Sequence, residues 1–64
     1  MHGPIVTLTR IIGGVRLCFR LFRENGVSHL FRIEIENADE VFVVANLYAH
    51  SRTEANDIIN RYGT

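Results

Sequence analysis

Apolar and polar residues alternate along two stretches of the chain, residues 15–22 and 30–36. The odd-numbered positions of both stretches are apolar: Val15, Leu17, Phe19, Leu21, Phe31, Ile33 and Ile35. Because successive side chains of a strand point to opposite faces, this pattern predicts two strands that share one apolar face. The Asn25-Gly26 pair between them predicts a hairpin.

Parity sets the length of the hairpin turn. A two-residue turn would pair odd with even positions and set each apolar row beside a charged one. A three-residue loop, Glu24-Asn25-Gly26, closed by a left-handed glycine at a bulge, avoids this conflict and pairs Arg23 with Val27. On the apolar face it sets Val15 opposite Ile35, Leu17 opposite Ile33, and Phe19 opposite Phe31. On the other face it sets Arg16 opposite Glu34, Cys18 opposite Arg32, and Arg20 opposite Leu30. Arginines and glutamates then share a face, so we expect much of their charge to be neutralised there.

Two further strands are predicted at residues 4–12 and 41–48. The first, PIVTLTRII, is rich in β-branched residues and ends at Gly13-Gly14, and Pro4 suits the start of an edge strand. A polar turn at residues 37–40 leads into the second, VFVVANLY. Its two faces would carry Val41, Val43, Ala45 and Leu47 on one side and Phe42, Val44 and Tyr48 on the other. A strand that is apolar on both faces usually has both covered.

The C-terminal residues 51–63 predict a helix. Ser51 and Glu54 have the spacing of a capping box, and Gly63 suits the position just past the C-terminus. One apolar stripe follows helical spacing: Ala55, Ile58, Ile59 and Tyr62. Since a helix of about 11 residues is marginal alone, we expect it to dock on the apolar face of the sheet.

The predicted fold is therefore α+β: a four-stranded antiparallel β-meander with one C-terminal helix packed on one face (β-β-β-β-α). The 64 residues form a single domain, residues 1–64. A chain this short is marginally stable on its own, and a second copy is one common source of added stability.

Composition indicates a globular protein, with 47% hydrophobic and 22% charged residues. The single cysteine excludes an intrachain disulfide and favours a reducing, cytoplasmic compartment. The three histidines lack metal-ligand spacing, and the apolar runs are too short to span a bilayer. The N-terminus, MHGPIVTLTR, lacks the pattern of a secretory signal. We expect a cytoplasmic protein without a metal, a cofactor or a membrane span.

Nothing in the chain has the pattern of a catalytic site. Gly13-Gly14 alone is no phosphate-binding loop. Cys18 lies between Arg16 and Arg20, neighbours that favour a reactive thiolate, but no histidine is placed beside it. A quiet position in the sheet is the simpler interpretation, and we expect a non-enzyme without a small-molecule substrate.

The sheet face opposite the helix is the candidate binding surface. It would carry three aromatic side chains among its charges, and exposed apolar patches often mark association sites, although scattered surface apolar residues are normal. We predict that it binds protein, either a second copy in a homodimer or a larger protein, as a regulator or inhibitor would. The residues expected to make this contact are Arg16, Arg20, Phe22, Arg32, Phe42, Val44 and Tyr48.

Nucleic-acid binding is the alternative function. All seven basic residues are arginine, which pairs bidentately with phosphates as well as carboxylates, although codon bias or chance also explains this usage. A sheet with arginines and aromatic rings resembles RNA-binding platforms. The zero net charge and the carboxylates of Glu34 and Glu36 oppose this interpretation. HSRTEANDIINRYG is also similar to the second helix of ribbon-helix-helix repressors, but those proteins need a preceding helix that the predicted meander does not supply.

Two motifs resemble those of a known group of proteins. FRIEI at residues 31–35 is similar to an aromatic-x-I-x-I strand, and VANL at residues 44–47 resembles a strand that leads into a last helix. Both occur, over roughly residues 17–62, in small bacterial proteins common in Firmicutes that are classed as domains of unknown function. The histidine- and acid-rich tail of that group is missing. The resemblance implies a small cytoplasmic protein without catalytic machinery, and it implies no activity.

Overall fold

The strands form one antiparallel sheet, followed by one helix. We describe residues 3–24, 26 and 29–64 of a computed structural model. The elements in chain order are β1 (Val6–Ile12), β2 (Val15–Arg23), β3 (Phe31–Asn37), β4 (Phe42–Ala49) and α1 (Arg52–Arg61). The strand order is β1-β2-β3-β4, so β1 and β4 are the edges. The predicted α+β meander with one C-terminal helix is confirmed.

The first hairpin is closed by the glycine pair. Gly13 and Gly14 have φ angles of 59° and 81°, and Ile12 pairs directly with Val15. A two-residue turn with positive φ at both positions matches the twist of the flanking strands. Gly13-Gly14 therefore ends β1, as predicted. Pro4 precedes β1 rather than opening it.

The core lies between α1 and the odd-numbered residues of the two central strands. Its buried members are Leu17, Phe19, Leu21, Phe31, Ile33, Ile35, Ala49, Ala55 and Ile59. Burying each large apolar side chain is worth about 1.5–3 kcal/mol. The predicted apolar face and the predicted position of the helix are both confirmed. Val15, at the turn, is exposed instead.

The register between β2 and β3 differs from the predicted one. The structure sets Phe19 opposite Ile35 and Leu21 opposite Ile33, and these four are the largest fully buried side chains. In the predicted register Leu21 would have faced His29, outside the apolar row. In the observed register Leu17 faces Asn37 and Phe31 faces Arg23, so the two registers pair different residues while both keep the apolar row on one face.

The predicted turn and cross-strand pairs are consequently wrong. Arg23 pairs with Phe31 rather than with Val27. The N–H of Glu24 donates to the carbonyl of Leu30 at 2.8 Å, so Glu24 belongs to the strand pairing and not to a three-residue loop. Asn25 and Val27, which that loop involved, lie outside the described residues. The six pairs that do not form are Val15 with Ile35, Leu17 with Ile33, Phe19 with Phe31, Arg16 with Glu34, Cys18 with Arg32, and Arg20 with Leu30. Gly26 does have a positive φ of 77°.

The helix begins and ends at the predicted residues. The hydroxyl of Ser51 accepts from the N–H of Glu54 at 3.0 Å, and the Glu54 carboxylate accepts from the N–H of His50 at 2.6 Å. The reciprocal cap thus reaches one residue further back than a standard capping box. At the other end Gly63, with φ 84°, follows the C-cap residue Tyr62.

The C-terminus of α1 is also held by β1. The guanidinium of Arg10 donates to the carbonyl of Ile59 and lies 5.9 Å from the ring centroid of Phe19. The ring of Phe19 meets that of Tyr62 edge to face, with centroids 5.7 Å apart. Sequence reasoning gave Arg10 no role, although its parity with Leu8 and Ile12 already placed it on the helix side.

β4 departs from two predictions. It is an edge strand with mostly exposed side chains, so the prediction that both of its faces are covered is wrong. The register shifts between Ile35 and Glu36, which leaves Val44 without a partner in β3. Beyond this bulge Phe42 pairs with Asn37, and Asn37 pairs with Leu17 of the core. Directly opposed residues share a face, so Phe42 lies on the helix side of the sheet rather than on the opposite face as predicted.

Candidate interaction surface

The open face is the sheet surface opposite α1. It consists of the even-numbered residues of β2 and β3, together with Thr7, Thr9 and Ile11 of β1 and Val43, Asn46 and Tyr48 of β4. Apolar, aromatic and charged side chains lie side by side on it, because the even-numbered, mostly polar residues of the two central strands point away from the helix.

Arg20 occupies the centre of the open face between two carboxylates. It donates to Glu36 at 2.9 Å and to Glu34 at 3.3 Å, and its side chain is 31% exposed. The hydrogen bond with Glu36 is the largest of the effects that raise the pKa of Arg20. The expected neutralisation of arginine by glutamate within the sheet is therefore confirmed, with Glu34 rather than Leu30 opposite Arg20.

Arg32 covers an aromatic ring. Its guanidinium carbon lies 4.4 Å from the centroid of Phe22, the residue directly opposite, a cation–π contact worth about 0.5–1 kcal/mol at an exposed site. The same guanidinium donates to Asn46 at 3.1 Å and approaches carboxylate oxygens of Glu34 at 3.5 Å and Glu24 at 3.9 Å. Phe22 is thus half-buried beneath a charged group rather than bare.

Arg16 lies at the far end of the face. It donates to Asp39 in the β3–β4 turn at 2.6 Å, and this hydrogen bond and the charge of Asp39 raise the pKa of Arg16. Both side chains are more than half exposed, so the pair adds little stability. The predicted partner, Glu34, belongs to Arg20 instead.

The seven predicted contact residues occupy four different places in the structure. Four of them, Arg20, Phe22, Arg32 and Tyr48, lie together on the open face. Arg16 is at its end, Val44 is at the bulge on the edge, and Phe42 lies on the helix side. Val43 was not predicted as a residue of the open face. The bulge sets it opposite Glu36 on that face, and an unbroken apolar run gives no sign of a bulge.

The thiol of Cys18 is buried, and Cys18 lies between Thr9 and Glu36 rather than opposite Arg32. The described residues contain no cluster of histidine, cysteine and carboxylate side chains that could hold a metal ion. Within the same residues no helix has the length and apolarity needed to cross a membrane.

Protein-family models, curated proteins and solved structures were compared with this chain, and none of the three comparisons found a match. The resemblance to small bacterial domains of unknown function therefore stays a prediction from the motifs at residues 31–35 and 44–47. Any functional conclusion depends on the chemistry of the surface itself.

Proposed function

We propose that this protein is a small non-enzymatic, cytoplasmic interaction module that binds protein through the open face and the adjoining edge strand. The observation that carries this proposal is the distribution of exposed apolar side chains. Most of the large exposed ones fall in one segment, at Val41, Phe42, Val43, Val44 and Tyr48. An apolar patch bordered by charged residues is typical of a protein-binding surface. The small size of the protein, 64 residues, suits a regulator or inhibitor that acts by direct contact with its target.

Binding to nucleic acid is the weaker proposal for this surface. Each arginine of the open face, Arg16, Arg20 and Arg32, has at least one carboxylate within 4 Å. A phosphate backbone would have to displace these carboxylates and then lie beside them. Among the described residues, Phe22 is the one ring stacked beneath an open-face guanidinium, and it is correspondingly less available to a base.

The proposal is tested with Tyr48→Asp, which places a charge in the exposed apolar segment. Self-association is measured by sedimentation equilibrium, and capture of a larger partner by affinity purification from the native host with quantitative mass spectrometry. Asn56→Asp, on the exposed side of α1, adds the same charge elsewhere. We expect the wild type to self-associate or to retain a defined partner, and Tyr48→Asp to weaken that contact about tenfold or more. Equal behaviour of wild type and Tyr48→Asp in both measurements contradicts the proposal.

A further inference from the structure

We propose that two copies of this chain join edge to edge through β4, antiparallel about a twofold axis, so that their sheets become one. This inference rests on the proposed function and names its partner. β4 has β3 on one side only, so one set of its backbone N–H and C=O groups has no partner strand. Such an edge is a template for another strand.

β4 lacks most of the features that protect edge strands. Natural edges carry charged side chains or prolines, and the strand FVVANLYA has neither. The opposite edge, β1, carries Arg10 and follows Pro4. The bulge at Val44 interrupts pairing on the inner side, and the strand is regular from Ala45 to Ala49. Half of the large apolar side chains that are exposed in the described part lie on β4, with relative exposures of 41% for Val44 and 54% for Tyr48, whereas β1 carries Ile11.

The charges that flank β4 identify the partner as a second, antiparallel copy. Acidic Glu40 precedes the strand and basic Arg52 follows it. Neither makes an ion pair with any residue the structure describes, as the ion pairs of the described part involve other side chains. Antiparallel pairing brings the acidic end of one copy to the basic end of the other, whereas parallel pairing would oppose like charges.

One register satisfies both charge and packing. Asn46 lies midway between Glu40 and Arg52 in the sequence. If Asn46 faces its own copy across the axis, Val44 faces Tyr48 twice by symmetry, and the turn that carries Glu40 adjoins the helix start that carries Arg52. Aromatic and β-branched residues form favourable cross-strand pairs. The strand itself is uncharged, so pairing with its copy opposes no like charges within β4.

The experiment is sedimentation equilibrium of the full chain over micromolar to millimolar concentrations, with circular dichroism to verify that each variant folds. One strand pair is a small interface, so we expect a dissociation constant in the micromolar range. Val44→Lys should raise that constant tenfold or more. Val15→Lys places the same charge at a valine of the β1–β2 hairpin with the same 41% exposure as Val44, and it should change that constant less than about twofold.

A charge swap identifies the occupant. Glu40→Arg and Arg52→Glu each bring like charges together where the ends of the two β4 strands adjoin, and each should weaken the dimer severalfold. The double variant restores opposite charges and should return the dissociation constant to within about twofold of wild type. Both residues are exposed, so these variants fold even if Val44→Lys does not.

Two outcomes overturn the inference. A wild type that is monomeric at millimolar concentration does so, as does a dimer that is indifferent to Val44→Lys and is not restored by the double swap. In either case the proposed function stands if Tyr48→Asp abolishes capture of a larger protein partner. It falls with the inference only if no partner of any kind depends on Tyr48.

Discussion

Val41 has a backbone conformation that its side chain disfavours. Its φ is +54°, and every other non-glycine residue of the described part has a negative φ. The turn requires it: the side chain of Asn37 accepts from the N–H groups of Asp39 and Glu40, and the Asn37 carbonyl accepts from the N–H of Val41 at 2.8 Å. A left-handed conformation costs an L-residue about 1–2 kcal/mol, and β-branching makes Val41 an unusual occupant.

Replacing this valine should relieve the strain. We expect Val41→Gly to raise the free energy of unfolding by up to about 1 kcal/mol, since the relief exceeds the added entropy of a glycine in the unfolded chain. Urea denaturation followed by circular dichroism measures the change. Val43→Gly, the same replacement without a positive φ, should lower stability. A loss in Val41→Gly as large as that in Val43→Gly would show that the turn stores no strain.

At the scale of elements, the sequence predicted the sheet face on which the side chains of β2 and β3 lie, but not the register in which the two strands pair. The observed pairing of β2 with β3 differs from the predicted one by an even number of residues, so every side chain stayed on its predicted face. Local turn chemistry at Asn25-Gly26 suggested a short loop, but the pairing continues to Glu24 and Leu30, and apolar pairs are available in either alignment. An odd shift would have exposed the core, and the sequence pattern already excluded that.

The alternation of apolar and polar residues could not assign the faces of β4. Five of the six residues 41–46 are apolar, so the run VFVVAN contains no alternation that could reveal the bulge at Val44. Phe42 was therefore assigned to the wrong face. The helix, by contrast, combines a cap, a stripe and a terminal glycine, and these independent signals all agreed with the structure.

Arg10 connects β1 to the end of α1. Arg10→Met keeps much of the apolar stem and removes the hydrogen bond to Ile59 and the contact with Phe19. Since hydrogen bonds from charged groups are worth more than neutral ones, we expect a loss of about 1–2 kcal/mol in the free energy of unfolding, measured in urea.

Arg61→Met is the matched control. Its ion pair with Asp57, at 3.0 Å, lies on the exposed helix surface and should contribute no more than about 0.5 kcal/mol. Equal losses in the two variants would mean that Arg10 contributes only as a surface charge.

At the scale of the whole molecule, the same sheet offers two surfaces of different character. The open face neutralises its own arginines, which agrees with the zero net charge of the chain, while most of the large exposed apolar side chains lie between Val41 and Tyr48. The sequence placed Arg20, Phe22, Arg32 and Tyr48 on one face correctly. It did not reveal the exposure of β4, because a strand that is apolar on both faces gives no sign of which face is covered.

Pairing of two copies should make thermal stability depend on concentration. Whatever binds the folded state alone stabilises it by mass action. At about one hundred times the dissociation constant we expect roughly 1–2 kcal/mol per chain, or about 5–10 °C in Tm for a domain of this size. Calorimetry over that concentration range measures it. Val44→Lys should show a constant Tm, and a wild-type Tm that is equally constant contradicts dimer formation.

The buried position of Cys18 allows local opening of the structure to be measured without any engineered residue. It is the chain's single sulfhydryl and is covered by its neighbours on the open face, so an alkylating reagent reacts only when that cover transiently opens. The speed of mass gain under native conditions consequently reports how often the open face is uncovered at Cys18, and air oxidation will not cross-link molecules that remain closed.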